Sequence, residues 1–349
     1  MRSHRSVFVF VAIVLMASVL LVTPAAGTGH EPPCDPDYVQ IHDWPYLVTV
    51  LPTGVDDTEN LQCALDYGAA RPYVKIMLVE GDYSTSFLEA EGFNGVLRGE
   101  GRHHTTISTL PDGLDCIARF EAANEVALLN FAASSIVVKG LTLAVGGDTA
   151  CAEPWQMFEE PDGTLIYDQS MHAFFATTRL SVDDECPGIV DHHTQVYGIG
   201  VESAWPNYGD PEVYLNGLYS GVAVAPPFVD IFGGECDATL RGTTIVRSSY
   251  FDGTDLAVLI GHPVESDVYI GGRYPWQGNE MHNVGLGVLD DFHSGGKLIV
   301  GQNAMTDVHW WGALVANGEH PTEVKIIKND VHAFDTADGF GVFDFGPVD

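Results

Sequence analysis

The sequence predicts an all-β solenoid carrying one helix near its N-terminal end, and three observations predict it. The first is a repeat: "GNEMHNVGLGVL", "QNAMTDVHWWGALV" and "KNDVHAFDTADGFGVF", laid in register, put Asn279, Asn303 and Asn329 in one column, 24 and 26 residues apart. Gly285, Gly312 and Gly339 form a second column at intervals of 27 and 27. The second is a period-two pattern of short β-branched runs broken by Gly, which holds over most of the chain. The third is that a helical period occurs only once, before that pattern begins. A unit of this length with several short strands cannot bury its apolar side alone, whereas stacked neighbours can.

The elements follow in order. Arg2 and Arg5 precede an apolar run from Val7 to Val22 and the small-residue stretch "TPAAG", the plan of a secretory signal peptide cut after Gly27. The run falls short of the roughly 20 residues that a membrane span needs. A single domain over residues 28–349 is therefore expected to be secreted, extracellular or periplasmic, with no membrane attachment after cleavage. In "GVDDTENLQCALDYGAA", Asp56 is placed to cap a helix, Glu59 completes a capping box, and Leu61, Ala64, Leu65 and Gly68 share one face. Strand pairs joined by Gly corners then follow in "FNGVLRGEGRHHTTIS" and "SSIVVKGLTLAV". Residues 146–190 break the pattern with Pro and acid, and read as an excursion with a hairpin at Thr164 to Tyr167. Strands resume at "QVYGIGVES". The segment "RSSYFDGTDLAVL" fits the repeat with Ser249 in the Asn column and Ala257 to Leu259 above Gly287 to Leu289. Asn suits such corners because it tolerates the left-handed conformation, and stacked Asn side chains can bond along the coil axis.

Charge narrows the partners. The whole chain has a formal net charge of −33, and residues 1–27 hold two of its fifteen Lys and Arg and none of its forty-eight Asp and Glu. Thirteen bases against forty-eight acids leave −35, which argues against nucleic acid and anionic membranes. Six Cys without a C-x-x-C favour disulfides over zinc. Cys34 with Cys63, and Cys151 with Cys186, would each pin an irregular segment.

The cap-helix region "GVDDTENLQCALDYG…VKIMLVEGDYS…FNGVLRGEGRHHTTI" and the "N…G-V" units from Ser249 to Phe343 resemble the pectate-lyase-like superfamily. The resemblance implies a right-handed, single-stranded parallel β-helix with an N-terminal capping helix, a dry interior and a polysaccharide groove along one sheet. Its catalytic signatures are absent: "RYPWQG" matches an Arg-x-Pro-x-x-Arg run at Arg273 and Pro275, but Gly278 takes the place of the second Arg. Asp290 and Asp291 form a double Asp, yet "GHP" at Gly261 and "KIIK" replace the other polygalacturonase motifs.

Following that geometry, the strands "AVLIGHP", "GVLDDFH", "ALVANGEH" and "GVFDFG" would line the groove. Neighbouring strands lie about 4.8 Å apart, so carboxylates one or two coils apart suit paired acid and base roles in glycoside hydrolysis. The expected catalytic set is Asp290, Asp291, Glu319 and His320, with His262, His293, Asn317 and Trp311 binding substrate. Asp290, Asp291 and Asp344 could alternatively hold Ca²⁺, although no cofactor is required. Period two leaves open which face of Asp290 is the core. His103 with His104 reads as an exposed corner, Asp191 with His192 and His193 as the better metal candidate, and His282 and His332 as parts of the repeat. The function expected is a monomeric secreted protein that binds an extracellular polysaccharide and cleaves it as a lyase or glycoside hydrolase. The alternative is a non-catalytic structural or carbohydrate-binding protein of the same fold.

Overall fold

The computed structural model describes residues 34–42, 44, 46–110, 114, 116, 119, 126–146, 156–159, 165–168, 171–180, 187–203, 218–226, 238–261, 264–293, 295–317, 323–333 and 343–344. The expected signal peptide and the pair Cys151 with Cys186 lie outside them.

The chain is all-β, and its pairing is that of a parallel solenoid. After the antiparallel pair Val39–His42 and Leu47–Val50, three kinds of strand alternate in a fixed cycle. The first ladder runs from Leu47–Val50 through Val74–Leu78, Asn94–Arg98, Ser135–Lys139, Ile189–Tyr197, Thr239–Arg247, Val264–Gly271 and Lys297–Gly301 to Glu323–Ile327, each parallel to the last. The second holds Gly81–Thr85, Thr105–Thr109, Thr142–Val145, Gly200–Ser203 and Tyr250–Asp252. The third holds Leu88–Glu91, Val126–Ala132, Met171–Thr177, Leu218–Val224 and Thr254–Ile260. In the last coils the long strands Glu280–His293 and Ala304–Asn317 serve both ladders by turning the corner between them.

Each ladder sends one apolar row inward. Ile76, Leu97, Val138, Val196, Val246, Ile270 and Val300 stack in the first, and Tyr83, Ile107, Leu143, Val201, Phe251, Met281 and Met305 in the second. All are at most 2% exposed. The third ladder is buried on both faces, with Phe174, Val222, Val258 and Val288 in the main core and Phe175, Ala223, Leu259 and Leu286 in a second cluster. Its strands accordingly read as near-continuous apolar runs, as doubly covered parallel strands do.

The predicted helix is Thr58–Ala69, with Leu61, Ala64, Leu65, Tyr67 and Gly68 buried. Its cap differs from expectation: Asp57 rather than Asp56 occupies the N-cap, and its buried carboxylate accepts from Thr53 N and from Ser84 N, at 2.6 and 3.0 Å. Asp56 only closes a turn on Thr58, at 2.9 Å. Cys63 on this helix bonds Cys34, as predicted. Gly68 is required by space, because a Cβ there would overlap the buried Phe93 ring. Gly68→Ala should therefore destabilise by about 1–3 kcal/mol through overpacking, although Ala is the better helix former by about 1 kcal/mol. A urea midpoint that moves upward in this variant would show that Phe93 does not sit against the helix.

The Asn column and its coil-to-coil bonding are as expected, whereas the left-handed reason for Asn is corrected. The left-handed residues at the corner between the first and second ladders are Ser248, Gln302 and Lys328, each one before the column, with Gly140 and Gly198 in earlier coils. The Asn side chains bond from coil to coil, the second of the two expected roles. Asn279 Nδ2 donates to Asn303 Oδ1, and Asn303 Nδ2 to Asn329 Oδ1, each at 2.9 Å. Ser249 begins the row, its N–H donating to Asn279 Oδ1 at 3.1 Å. At the next corner the left-handed role does fall to Asn283, and to Asp307 in the following coil. The Gly column is shifted: Leu286 pairs Trp311 and Val288 pairs Ala313, which sets Gly287, not Gly285, beside Gly312. A bulge after Val284 changes the offset between these strands from 24 residues (Val284 with Val308) to 25 (Leu286 with Trp311), short of the 27 that the Gly column needs. Gly339 lies outside the described residues. The excursion does contain an antiparallel pair, Gln156–Glu159 with Leu165–Asp168, while Met171–Thr177 within its expected bounds belongs to the third ladder.

Candidate functional site

The described parts of the expected groove strands belong to the third ladder, and one of the predicted site residues is turned into the core there. Asp290 is 0% exposed and pairs with Ile260 on one side and Val315 on the other, two members of the main core. Period two then points it inward, so it cannot reach a substrate outside. The opposite row, Leu259, Leu289 and Leu314, belongs to the second apolar cluster, and Trp311 packs against that cluster. His293 and Asn317 are register partners on adjacent strands, and Asp344 pairs Val315, two strands from Asp290. For Asp291, His293, Asn317 and Asp344 only the backbone is described, and His262, Glu319 and His320 lie outside the described residues. Among the described residues, no group of three or more His, Cys, Asp or Glu is placed to hold a metal.

Other polar candidates resolve into structure. Asp191 and His193 face outward while His192 faces inward, so the triplet does not converge, and Asp191 pairs Arg241 at 2.9 Å. His104 is an exposed corner residue 3.2 Å from Glu80. His282 bridges coils, with Nδ1 2.9 Å from Asp252 and Nε2 2.9 Å from Asp307, and the Asp252 bond raises its pKa. Within the third ladder, Asp255 is 1% exposed and burial holds its carboxyl well above the usual carboxylate range. His172 and Ser220, 2.6 Å apart, are also buried.

Among the described strands, the basic side chains gather on the first ladder, and two exposed aromatic rings stand at the corner beyond it. Every Lys and Arg in a described strand lies in that ladder: Lys75, Arg98, Lys139, Arg241, Arg247, Lys297 and Lys325. Their outward rows are unequal. The two rows nearer the strand starts hold the acids, Asp191 and Glu265 in one and Asp267 and Glu323 in the other, whereas the remaining two hold none. Arg98, Lys139, Tyr197, Arg247 and Gly271 follow each other in register in one of these, and Val96, Val137, Gln195, Ile245 and Tyr269 in the other. In the second row Leu47 and Lys75 precede Val96, and Ile299 and Lys325 follow Tyr269.

At Gly271 this surface meets the segment Arg273–Gly278, the "RYPWQG" stretch. It is a short turn fixed from both sides. Gln277 Oε1 accepts from Arg273 N at 3.0 Å, Ser248 Oγ donates to the Trp276 carbonyl at 2.7 Å, and Arg247 Nε donates to the Gly271 carbonyl at 2.8 Å. The missing second Arg now has a reason, because a Cβ at Gly278 would collide with the Gln302 carbonyl of the next coil. Above this base Tyr274 and Trp276 stack with centroids 4.6 Å apart and planes 3° apart, and they remain 52% and 70% exposed. Two large apolar rings held parallel in solvent are costly unless something covers them. Sequence reading met this stretch only as a failed motif; the signal that could have found it was Tyr and Trp flanking a Pro in a loop.

No family model, curated protein or solved structure matches the chain.

Proposed function

We propose that this chain is an exported right-handed parallel β-helix that binds an extracellular polysaccharide, with the Arg273–Gly278 corner as its grip. Export is supported by Arg2, Arg5, the apolar run after them and "TPAAG". Handedness is supported by the general rule that parallel strands joined by a crossover are right-handed in about 98% of cases, and by the pectate-lyase-like residues at the two ends of the chain. The observation that carries the binding reading is the exposed Tyr274 and Trp276 stack on its hydrogen-bonded turn. A flat aromatic face covers the C–H face of a pyranose ring and removes apolar area from water on both sides, while the fixed turn means that little side-chain entropy is lost on binding.

Trp276→Ala leaves the turn's bonds in place, because Ser248 reaches the residue's carbonyl and not its ring. This variant should bind its best glycan roughly fivefold to tenfold more weakly, the equivalent of about 1 kcal/mol or slightly more, with an unchanged melting temperature. Isothermal titration against a panel of plant and microbial polysaccharides measures it, and equal affinity in both proteins would remove the grip from this corner.

Cleavage extends the same reading. It rests on Asp291, Glu319 and His320, with His262, His293 and Asn317 beside them, since Asp290 faces the core. Release of reducing or unsaturated ends, lost in Asp291→Ala and in Glu319→Ala, would establish it. Binding without product leaves the non-catalytic form.

A further inference from the structure

We infer that Asp252, His282 and Asp307 form a pH-operated latch, which ties three successive coils together while the imidazole carries its second proton and lets go of the third coil when that proton leaves. The inference concerns the fold itself and stands apart from the carbohydrate reading.

The geometry fixes the charge of the ring. His282 Nδ1 lies 2.9 Å from Asp252 Oδ1, and its Nε2 lies 2.9 Å from Asp307 Oδ2. An ionised carboxylate only accepts, and a neutral imidazole has one N–H to give. Carboxylates at hydrogen-bond distance from both nitrogens are therefore satisfied together only by the imidazolium. The three side chains are 38–45% exposed, so the ring equilibrates with the pH of the medium.

The strands bring these groups into line. Asp252 and His282 are register partners on parallel strands, and Thr306 follows His282 in the next coil. The second carboxylate comes from the residue after Thr306, because Asp307 has a φ of 53°, the left-handed corner conformation. Asn283 holds the same conformation one coil earlier, with its Oδ1 3.0 Å from His309 Nε2. Asp visits that conformation more readily than most residues, yet at a cost, and an anchored side chain helps to keep the corner in it.

Loss of the proton breaks the pair unevenly. The hydrogen bond to Asp252 is the largest cause that raises the His282 pKa, and it outweighs the contribution of Asp307. The neutral ring thus keeps its N–H on Nδ1 and turns a lone pair toward Asp307. Other charged and titratable groups on this face are Glu202 one coil before Asp252, Tyr250 and Glu280 in the neighbouring row, and Asp330 with His332 in the last coil. Arg102 reaches the same face, its guanidinium 5.7 Å from the Tyr250 ring. Burial, then Asp252, raises the Tyr250 phenol above 10.0, and burial lowers His309 below 6.5 against the pull of Asp307. Ordinary carboxylates are ionised above about pH 6. Between there and pH 9 the change of charge at the corner itself belongs to His282. Since its folded pKa is raised, the latch contributes fully below the unfolded value of 6.5 and is lost as pH rises through the folded pKa.

The test uses the full chain. Proton–carbon NMR of the His282 ring, assigned by its disappearance in His282→Gln, should show a midpoint above 6.5, and Asp252→Asn and Asp307→Asn should each lower it. Amide exchange over residues 304–309, corrected for the intrinsic pH dependence of exchange, should lose protection roughly fivefold through that midpoint. His282→Arg keeps its charge and its donors at every pH, and should hold the protection up to pH 9. Asp307→Asn should show at pH 6 the low protection that wild type shows at pH 9, which keeps the test decisive if thermal melts show that the Arg variant does not fold. A His282 midpoint at or below 6.5 overturns the inference. So does a midpoint that Asp307→Asn leaves unmoved, or protection that stays constant while the ring titrates.

Discussion

Replacing Asn303 by Ala should lower the unfolding free energy by about 3–5 kcal/mol, far more than a typical surface change. The side chain is 1% exposed and makes four bonds. Its Nδ2 donates to Asn329 Oδ1 at 2.9 Å and to the Ile270 carbonyl at 3.1 Å; its Oδ1 accepts from Asn279 N at 3.1 Å and from Asn279 Nδ2 at 2.9 Å. Truncation leaves the buried Asn279 N–H and the Ile270 carbonyl without these partners, and each such orphan costs about 1–3 kcal/mol. Asn303→Asp should be at least as harmful, because it keeps the acceptor, loses both donors and sets a carboxylate against Asn329 Oδ1. Asn329→Ala, at the partly exposed end of the row, should cost less since water can reach the groups it abandons. Urea unfolding followed by circular dichroism measures all three. If Asn303→Ala and Asn303→Asp both fall within 1 kcal/mol of wild type, the coils are not held together by this row.

That row shows how far the sequence could be read and where reading stopped. The repeat, the Asn column, the buried face of the helix and the Cys34 with Cys63 pair were all legible, because each is a spacing and spacings survive in one dimension. The conformational reason given for Asn was wrong for a physical cause: a left-handed corner and a side-chain ladder both favour Asn, and only the dihedral angles separate them. Here Gln302 and Lys328, residues with no intrinsic liking for that conformation, take the strained position. Their neighbours' four-bond row overrides local preference. The two-residue displacement of the Gly column, from Gly285 to Gly287, went unseen for a similar reason, since strand register and a bulge between Val284 and Leu286 leave no mark in composition.

The site was less legible than the fold. Strands such as "TDLAVLI" are apolar on both faces, so alternation does not say which residues point out, and Asp290 was placed on a groove when it lies among core residues. Carboxylates are a weak signal of a site in a chain so rich in them, where a cluster of acids discriminates little. Scarcity was the better signal. Only thirteen Lys and Arg lie beyond residue 27, and asking which strands carry them leads directly to the first ladder and to the corner where Tyr274 and Trp276 stand exposed.

A second large effect should appear on acidification, from a group unrelated to ligand. His192 lies inside the solenoid, 1% exposed, with Nε2 3.2 Å from Thr244 Oγ1. Burial first, and the neighbouring His193 second, lower its pKa from 6.5 to about 4, against the weaker raising influences of the Arg241 backbone and Asp191. Above pH 6.5 the ring is neutral whether the chain is folded or not, and its contribution to stability is complete. As the pH falls, the unfolded chain takes up a proton that the folded interior refuses, so stability drains away until about pH 4, where the folded ring also titrates. The loss over that window is on the order of 3 kcal/mol. Carboxylates titrate across the same range, so the measurable quantity is the difference between wild type and His192→Gln, which cannot take the proton but still offers an amide to Thr244. The variant should lose less stability than wild type between pH 7 and pH 4. A histidine ring that titrates near 6.5 by NMR in the folded protein, assigned to His192, would contradict the buried placement itself and with it the inward face of the first ladder at that coil.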